Sequence, residues 1–381
     1  MNDLVEELSQ LEKNSMRRSL RVVEETQSAR ITLAGKSLMN FSSNNYLGLA
    51  RHPRVVEAVQ EVMQHWGAGA TSSRLISGTS IIHRDLELAL AAFVKKENAL
   101  VFPAGYMANL AVVTSLAGPG DAIVMDRLCH ASLVDAAHLS GARLFVFTHA
   151  DAQDAEKALE RTRSHRRRLL LTESLFSMNG DFAPLKNLLS LAHAHDAISI
   201  VDDAHALGVW DTEAPEADIV VGTLSKSLGS QGGFVAGSHE LIDTLVNRAR
   251  AFIFTTGLSP MCVAAAQAAL SILQENTAPR ARVQKLSSQL RDGLRRLGFD
   301  ILGSESQIVP VLLGEAEEAL RCANRLLEAG IFAPAIRPPT VHAHHCRIRF
   351  SITADHIEED IDHLLKMLNT FPSPLRGRGS G

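Results

Sequence analysis

The sequence predicts an α/β protein built around a mostly parallel β-sheet, and two patterns lead to this prediction. From Ala99 onward, short apolar runs of strand length alternate with segments of helical periodicity. The runs carry few charges, as expected of strands that are covered by helices on both faces. In sheets of this kind the ligand binds at the carboxyl ends of the strands, so chemistry is expected where these runs end.

Seven runs are the predicted strands of this sheet. They are residues 99–102, 122–126, 144–147, 169–172, 198–202, 219–222 and 232–237. Most of the segments between them have helical character, as at residues 106–116. Repeated strand–helix units imply strands that run mostly in one direction.

Composition divides the chain into four parts. Residues 1–45 form an N-terminal arm, whose leucines recur at helical spacing and predict an amphipathic helix reaching to about residue 30. Residues 46–275 form the large domain that contains the parallel sheet. Residues 276–370 mix helical and strand patterns and predict a smaller α+β domain. Residues 371–381 are rich in Pro, Gly, Ser and Arg and predict a disordered tail.

Charge and cysteine content exclude several kinds of partner. The 381 residues include 38 Lys and Arg against 42 Asp and Glu, a net charge of −4, so neither nucleic acid nor a membrane surface is expected as a partner. The four cysteines form no C-x-x-C pair, which favours a reducing compartment and a cytoplasmic protein. Two long uncharged stretches, 99–120 and 251–274, are broken by Pro and Gly and predict buried elements instead of membrane spans. No metal site is expected.

The run 198–202 ends in a carboxylate, Asp202, followed three residues later by His205. A carboxylate at the end of a buried strand needs a cationic partner, because an isolated buried charge is very costly. A protonated pyridine nitrogen would be such a partner; a helix cap, Mg²⁺ and a ribose are the alternatives. Asp203 is adjacent, but neighbours on a strand point to opposite faces, which disfavours a metal site built from both carboxylates.

The next run, 219–222, leads to an amine. Lys226 lies three residues after Thr223 and precedes a turn of mostly small residues. An amine in this position is suited to form a Schiff base, and a solvated surface lysine is the alternative. The presence of Asp202 at the preceding strand end favours the Schiff base.

Three further groups follow predicted strands. His130 could stack its flat imidazole on a flat ring, or it could be a core histidine. Gly105 and Tyr106 open a helix, so their backbone N–H groups form an anion site that suits a phosphate. Ser177 places a hydroxyl near the end of another strand.

Residues 67–79 form a loop of small residues that contains one cation, Arg74. Small residues allow the backbone to approach a ligand closely, and an ordinary structural loop is the alternative. The loop is neither a P-loop nor a G-x-G-x-x-G motif. We find no G-x-G-x-x-G after the first strand, which argues against a nicotinamide-dependent dehydrogenase.

Several longer motifs accompany these residues. They lie at 44–49, 73–79, 102–106, 126–132, 173–181 and 229–233. Together with Asp202-x-x-His205 and Thr223-x-x-Lys226 they resemble the α-oxoamine synthases, a family of fold-type I pyridoxal-phosphate (PLP) enzymes. The resemblance covers residues 30–368 and implies a fold-type I PLP transferase, with a mostly parallel sheet and a smaller C-terminal α+β domain.

The resemblance implies roles for five residues at the ring of PLP. Lys226 would form the Schiff base, Asp202 would bind the pyridine nitrogen, and His130 would stack on the ring. His205 and Ser177 would reach the ring oxygen. Lys226, His130, Asp202 and His205 are accordingly the expected catalytic residues.

A second set would hold the phosphate of PLP. The resemblance implies that Gly105, Tyr106 and Thr223 bind it within one subunit. It further implies a homodimer with shared active sites, in which Thr255 or Thr256 reaches the phosphate from the neighbouring subunit. One departure from the family lies between Thr223 and Lys226, where Leu and Ser replace the more usual aromatic residue and glycine.

The resemblance also implies the substrates. Arg349 would bind the amino-acid carboxylate, while Asn44 and Arg74 would line the acyl side. Residues 337–341 and 347–349 look most like those of the members that condense L-alanine with a pimeloyl thioester, on CoA or acyl-carrier protein, in biotin biosynthesis. These members are decarboxylating acyltransferases. The glycine-using 2-amino-3-ketobutyrate ligase and 5-aminolevulinate synthase are the alternatives.

Overall fold

The computed structural model describes residues 2–27 and 29–371, with elements numbered in chain order. The strands are β1 (Val23–Gln27), β2 (Arg30–Leu33), β3 (Lys36–Asn40), β4 (Asn98–Phe102), β5 (Ala122–Asp126), β6 (Arg143–Phe147), β7 (Arg168–Glu173), β8 (Ile198–Asp202), β9 (Ile219–Thr223), β10 (Gly233–Gly237), β11 (Ile308–Gly314), β12 (Ile331–Phe332), β13 (Ala335–Ile336) and β14 (Cys346–Ser351). The α-helices are α1 (Asn2–Lys13), α2 (Pro53–Trp66), α3 (Ile81–Phe93), α4 (Gly105–Leu116), α5 (Ala131–Ser140), α6 (Ala152–Glu160), α7 (Leu185–Ala194), α8 (His239–Arg248), α9 (Arg250–Ile253), α10 (Pro260–Glu275), α11 (Ala278–Arg296), α12 (Ala316–Glu328) and α13 (Glu358–Asn369). Apart from Phe371, the predicted tail 371–381 lies outside the described residues.

The described residues group into two compact units. The first comprises residues 47–176 and 182–280, and the second comprises the residues up to 46, residues 177–181 and those from 281 onward. The first unit contains the seven-stranded sheet, and the second contains two smaller sheets.

The seven-stranded sheet confirms the fold expected from the sequence. Its strand order is β4-β10-β9-β8-β7-β5-β6, and the pairs β5–β6, β5–β7, β7–β8 and β8–β9 are parallel. Strand β10 is antiparallel to both of its neighbours, β4 and β9. The link between β9 and β10, residues 224–232, is too short for a parallel crossover, which needs about a dozen residues or more.

Helices cover both faces of this sheet, which explains its uncharged strands. Along β5, Ile123 and Met125 pack into one buried cluster with α4 and α5, whereas Ala122 and Val124 pack into another with α6 and α7. Successive side chains of a strand point to opposite faces, so both faces of β5 are apolar. The polar groups of the sheet are consequently found at its edges.

The second unit is a small α+β structure with its own core. It contains a four-stranded sheet in the order β1-β2-β3-β12 and a three-stranded sheet in the order β11-β14-β13. Its buried cluster includes Leu290 of α11, Leu326 of α12, Leu364 of α13 and Phe350 of β14.

The N-terminal arm differs from the sequence prediction. Helix α1 ends at Lys13, and Ser15 has a positive φ of 56°, which a continuing α-helix cannot accommodate. The predicted helix is wrong beyond this point, because residues 23–27 instead pair with β2 as an antiparallel strand. Within the described residues, we find no helix with the length and apolar character needed to cross a bilayer.

Candidate active site

Groups at the carboxyl edge of the seven-stranded sheet line a cavity of about 180 Å³. The structure brings together seven of the residues predicted from the sequence. They are Gly105, Tyr106, His130, Asp202, His205, Thr223 and Lys226. Asn109, Ser132, Glu173 and Ser225 also line the cavity.

A larger groove, of about 910 Å³, lies at the other edge of the same sheet. It is lined by the first residues of β8 and β9, Ile198 and Ile219, together with charged surface residues. Ligands of parallel sheets bind at the carboxyl ends of the strands, so the smaller cavity is the candidate active site.

Asp202 is the last residue of β8 and is 7% exposed. Its Oδ2 accepts a hydrogen bond from Asn109 Nδ2 at 2.7 Å, and its Oδ1 accepts one from the backbone N–H of Ala204 at 3.0 Å. Both of these donors are neutral amides. A buried carboxylate that is held by neutral donors is well placed to receive a cation from the cavity.

His130 is the N-cap residue of α5 and is held through its Nδ1 atom. Ser132 Oγ lies 2.8 Å from Nδ1, and the backbone N–H of Ser132 donates to the same atom at 3.3 Å. The residue is exposed at the surface of the cavity, yet the surrounding protein partly desolvates the ring and lowers its pKa. The charge of Lys226 also lowers the pKa, while Asp202 and Asp135 act in the opposite direction. His130 is therefore a neutral, planar group at neutral pH.

The N-terminus of α4 forms one wall of the cavity. The helix begins at Gly105 and has no side-chain cap, so the first backbone N–H groups have no intrahelical acceptor. Thr223, at the end of β9, lies beside this terminus: a Cβ built on Gly105 would be 3.5 Å from Thr223 Oγ1. A Cβ on Gly233 of β10 would come within 2.5 Å of the Gly105 Cα. This close backbone packing leaves an open, positively polarised helix end.

Lys226 lies in the turn between β9 and β10. The buried side chains of Leu224 and Leu228 anchor the turn on either side of it. The Lys226 carbonyl accepts a hydrogen bond from the backbone N–H of Gly229, which has a φ of +61°. A side chain on Gly229 would meet the backbone nitrogen of Ala50 at 2.4 Å, so glycine is required here. The turn thus holds the lysine backbone rigidly while its side chain reaches the cavity.

Three predicted residues belong to the second unit. Arg349 of β14 donates from Nη2 to Asn44 Oδ1 at 2.9 Å and to Tyr46 Oη at 3.2 Å, so the structure brings Arg349 and Asn44 together. Ser177 is buried, with 8% of its surface exposed.

Arg74 is more enclosed than its loop suggests. It is 6% exposed, and its Nη2 lies 2.9 Å and 3.2 Å from the two carboxylate oxygens of Glu87, in helix α3. Its Nε donates to Thr79 Oγ1 at 2.9 Å, whereas Nη1 is buried without a hydrogen-bond partner within the described residues. Thr256 forms an isolated bridge with Ser73 of the same loop. Neither Thr255 nor Thr256 lines the cavity.

Four polar residues of the cavity were not predicted from the sequence, and two of them, Asn109 and Ser132, are hydrogen-bonded to predicted site residues. Both are buried, at 2% and 0% exposure, and they are hydrogen-bonded to one another at 2.9 Å. The available signal was an amide in the middle of α4, a helix whose other buried residues are mostly apolar. A buried amide in an apolar helix needs hydrogen-bond partners, and this requirement points to a polar site.

Comparison with known proteins identifies the family. The family model described as aminotransferase class I and II matches residues 36–368. An 8-amino-7-oxononanoate synthase of Geobacter sulfurreducens is 44% identical over 368 residues, covering 93% of this chain and 94% of the relative. The 8-amino-7-oxononanoate synthase 2 of Bacillus subtilis is 40% identical, covering 98% of both chains.

Solved structures agree with this result. A serine palmitoyltransferase from S. paucimobilis, solved with bound PLP–myriocin, matches with a TM-score of 0.91 at 32% identity, covering 96% of each chain. An 8-amino-7-oxononanoate synthase from Francisella tularensis matches with a TM-score of 0.75 at 25% identity, covering 87% of this chain and 97% of that one. These matches confirm the resemblance found in the sequence motifs. The chain belongs to the aminotransferase class I and II family and, within it, resembles the 8-amino-7-oxononanoate synthases.

Proposed function

We propose that this protein is a PLP-dependent acyltransferase that condenses L-alanine with a pimeloyl thioester, as an 8-amino-7-oxononanoate synthase does in biotin biosynthesis. The reaction joins the α-carbon of alanine to the thioester carbonyl carbon, breaks the C–S bond, and releases the alanine carboxylate as CO₂. The full-length similarity to several relatives with this name supports the proposal.

The observation that carries the proposal is the environment of Asp202. This buried carboxylate accepts hydrogen bonds from two neutral donors and faces the cavity that Lys226 also lines. The pair fits PLP, since a protonated ring nitrogen would supply a cation for the carboxylate and the aldehyde would react with the amine. The uncapped helix end at Gly105 and Tyr106, with Thr223 beside it, suits the phosphate.

The cofactor and the protein contribute different parts of the chemistry. When bound, PLP supplies an electron sink that stabilises negative charge on the α-carbon of alanine. Asp202 holds the proton on the ring nitrogen, and the Lys226 amine removes the proton from the α-carbon. His130, as a neutral imidazole, would cover one face of the bound ring and exclude water from it, while His205 and Ser177 would donate to the ring oxygen.

Substrate selection is assigned to residues outside the cavity. Arg349 binds the carboxylate of alanine, because its guanidinium matches that group with two parallel donors. Its hydrogen bonds to Asn44 and Tyr46 fix the direction in which it points. The family resemblance supports a position for Arg74 on the acyl side of the site, where its positive charge, paired with Glu87, would act on the acyl substrate.

The proposal extends to assembly and location. The protein acts as a homodimer with shared active sites, in which Thr255 or Thr256 of one subunit reaches the phosphate bound to the other. It works in the cytoplasm, a placement supported by four cysteines that form no disulfide. Residues 46–275 act as the PLP-binding domain and 276–370 as the small domain. The family resemblance supports these assignments.

A product assay tests the proposed reaction. Purified protein with added PLP should release free thiol and 8-amino-7-oxononanoate from L-alanine and pimeloyl-CoA or pimeloyl-acyl-carrier protein, and much less product from glycine or serine. A preference for glycine with a short acyl-CoA would instead support 2-amino-3-ketobutyrate ligase or 5-aminolevulinate synthase.

Borohydride reduction tests the role of Lys226 separately. Reduction should attach the cofactor to a peptide that contains Lys226, as detected by mass spectrometry. Lys226→Arg is the matched control, since it keeps the positive charge but forms no Schiff base with an aldehyde. Undiminished turnover by this variant would refute the proposed mechanism.

A further inference from the structure

Hydrogen bonds join four side chains of the cavity into one chain. Asn109 Nδ2 lies 2.7 Å from Asp202 Oδ2 and 2.9 Å from Ser132 Oγ. Ser132 Oγ in turn lies 2.8 Å from His130 Nδ1. The chain connects the carboxylate at the end of β8 with the imidazole at the start of α5, through helix α4.

Donor and acceptor chemistry fixes the direction of this chain. An amide nitrogen only donates, so Asn109 Nδ2 uses one hydrogen for Asp202 and the other for Ser132. The Ser132 hydroxyl therefore accepts a hydrogen bond from Asn109 and donates one to His130 Nδ1. Since the backbone N–H of Ser132 also donates to Nδ1, that atom is an acceptor. The neutral His130 ring must then carry its proton on Nε2.

The reverse orientation of the amide is unfavourable. It would place Asn109 Oδ1 against a carboxylate oxygen, which repels it. In the observed orientation Oδ1 is buried without a partner within the described residues, and this costs free energy. Leucine, of similar size, would avoid that cost in so apolar a helix. The two hydrogen bonds that its amide nitrogen donates therefore explain why an asparagine occupies this position.

We propose that Asn109 is a positioning residue, which aims the Asp202 carboxylate at the cofactor nitrogen and, through Ser132, sets the tautomer of His130. The inference rests on the proposed function, because it concerns the residues assigned to PLP. An amide suits this role since it holds the carboxylate without adding charge. A cationic donor would neutralise Asp202, which would then be less able to stabilise a protonated ring nitrogen.

Two variants and a matched control test the inference. Asn109→Leu removes both donors, and Ser132→Ala removes the hydroxyl while leaving Asn109 in place. Ser115→Ala is the control, because Ser115 is a buried residue of the same helix whose hydroxyl has no partner within the described residues. Ser132→Ala keeps the test decisive if Asn109→Leu does not fold.

The first measurement is the tautomer of His130 by ¹⁵N NMR on full-length, cofactor-free protein, with the signal identified by its loss in His130→Gln. The wild type and Ser115→Ala should show Nδ1 unprotonated and Nε2 protonated. Asn109→Leu frees the Ser132 hydroxyl to accept from His130, and Ser132→Ala removes the hydroxyl. In both variants only the long 3.3 Å hydrogen bond from the backbone N–H of Ser132 still holds Nδ1 as an acceptor, so a measurable fraction of the Nδ1-protonated tautomer should appear beside the wild-type form. Wild-type tautomers in both variants would overturn the inference.

The second measurement is the dissociation constant of PLP. Asn109→Leu should weaken binding about 10- to 100-fold, the usual consequence of losing a hydrogen bond to a charged group, with Ser115→Ala unchanged. Equal affinities in the wild type and Asn109→Leu would contradict the inference while leaving the proposed function intact. If the wild type bound no PLP, the proposed function would fail, and the NMR comparison would still decide the role of Asn109.

Discussion

Replacing Asp203 with asparagine should remove a loss of stability that the wild type undergoes between about pH 4 and pH 7. Asp203 directly follows Asp202 but is buried at a different place, with 6% of its surface exposed. Its Oδ1 accepts hydrogen bonds from Ser174 Oγ at 2.5 Å and Thr212 Oγ1 at 3.3 Å. Burial raises the pKa of Asp203 to about 7, because the hydrogen bonds do not offset the loss of hydration, and the charge of Asp202 acts in the same direction.

The sign and size of the effect follow from this pKa. In the unfolded chain Asp203 loses its proton near its ordinary value of 3.8, whereas the folded protein retains the proton up to about pH 7. Between these values the folded state binds more protons, so stability falls as the pH rises. At about 1.4 kcal/mol per pH unit the loss is roughly 4 kcal/mol. An asparagine at this position would not titrate, so the variant should gain about this much relative to the wild type.

Urea unfolding at fixed protein concentration, from pH 4 to pH 8, measures the difference between Asp203→Asn and the wild type. Asp121→Asn is the contrasting control, because the hydrogen bond from Arg166 lowers the pKa of Asp121. The carboxylate of Asp121 stabilises the fold above its ordinary pKa of 3.8 and loses this effect only below it, so Asp121→Asn should be less stable than the wild type by a nearly constant amount from about pH 5 to pH 8. Parallel pH curves for the wild type and Asp203→Asn would refute the reasoning.

Three other substitutions probe packing, charge and recognition. Glu87→Met should lower the free energy of unfolding by about 3–5 kcal/mol in urea, because it leaves Arg74 as an unpaired buried charge. The double variant with Arg74→Met should recover most of this loss. If the losses of the two single variants simply added in the double variant, the coupling would be contradicted. Gly229→Ala should cost about 3 kcal/mol in the same assay, since its Cβ would meet the Ala50 backbone at a positive φ, and a loss below about 1 kcal/mol would argue against that contact. Arg349→Lys should raise the KM for alanine at least about tenfold with PLP affinity unchanged, because lysine lacks the planar fork; an unaltered KM would remove Arg349 from the carboxylate site.

The parts of the fold and site that could be predicted are those that depend on residues close together in the sequence. Apolar runs that end at Asp202 and directly before Thr223 identified both the strands and the edge where chemistry was expected. This works because parallel strands bury both faces, so polar groups collect at the strand ends. The turn around Lys226 was recognisable for the same reason.

Other features depend on contacts between distant segments. The antiparallel direction of β10 follows from its short connection and from pairing with β4, more than 130 residues earlier in the chain. The burial of Arg74 depends on Glu87 in a neighbouring helix, and an exposed loop arginine would have the same local sequence. Asn109 and Ser132 can form their hydrogen bond only because α4 and α5 pack together. Periodicity cannot supply these pairings, because it reports the face of an element and not its neighbour.

The contact between Gly105 and Gly233 bears on how the substrate range of this protein could be altered. The proposed phosphate site consists largely of main chain, and any side chain on Gly233 would displace the helix that forms it. Mutagenesis libraries that randomise Gly233 would therefore return mostly inactive protein. Anchoring of the cofactor can stay constant while diversity is directed to Asn44, Arg74 and Arg349, the residues proposed to bind the substrates. When the main chain holds the cofactor, side chains elsewhere in the site can change without loss of the cofactor. Substrate specificity can therefore evolve independently of cofactor binding.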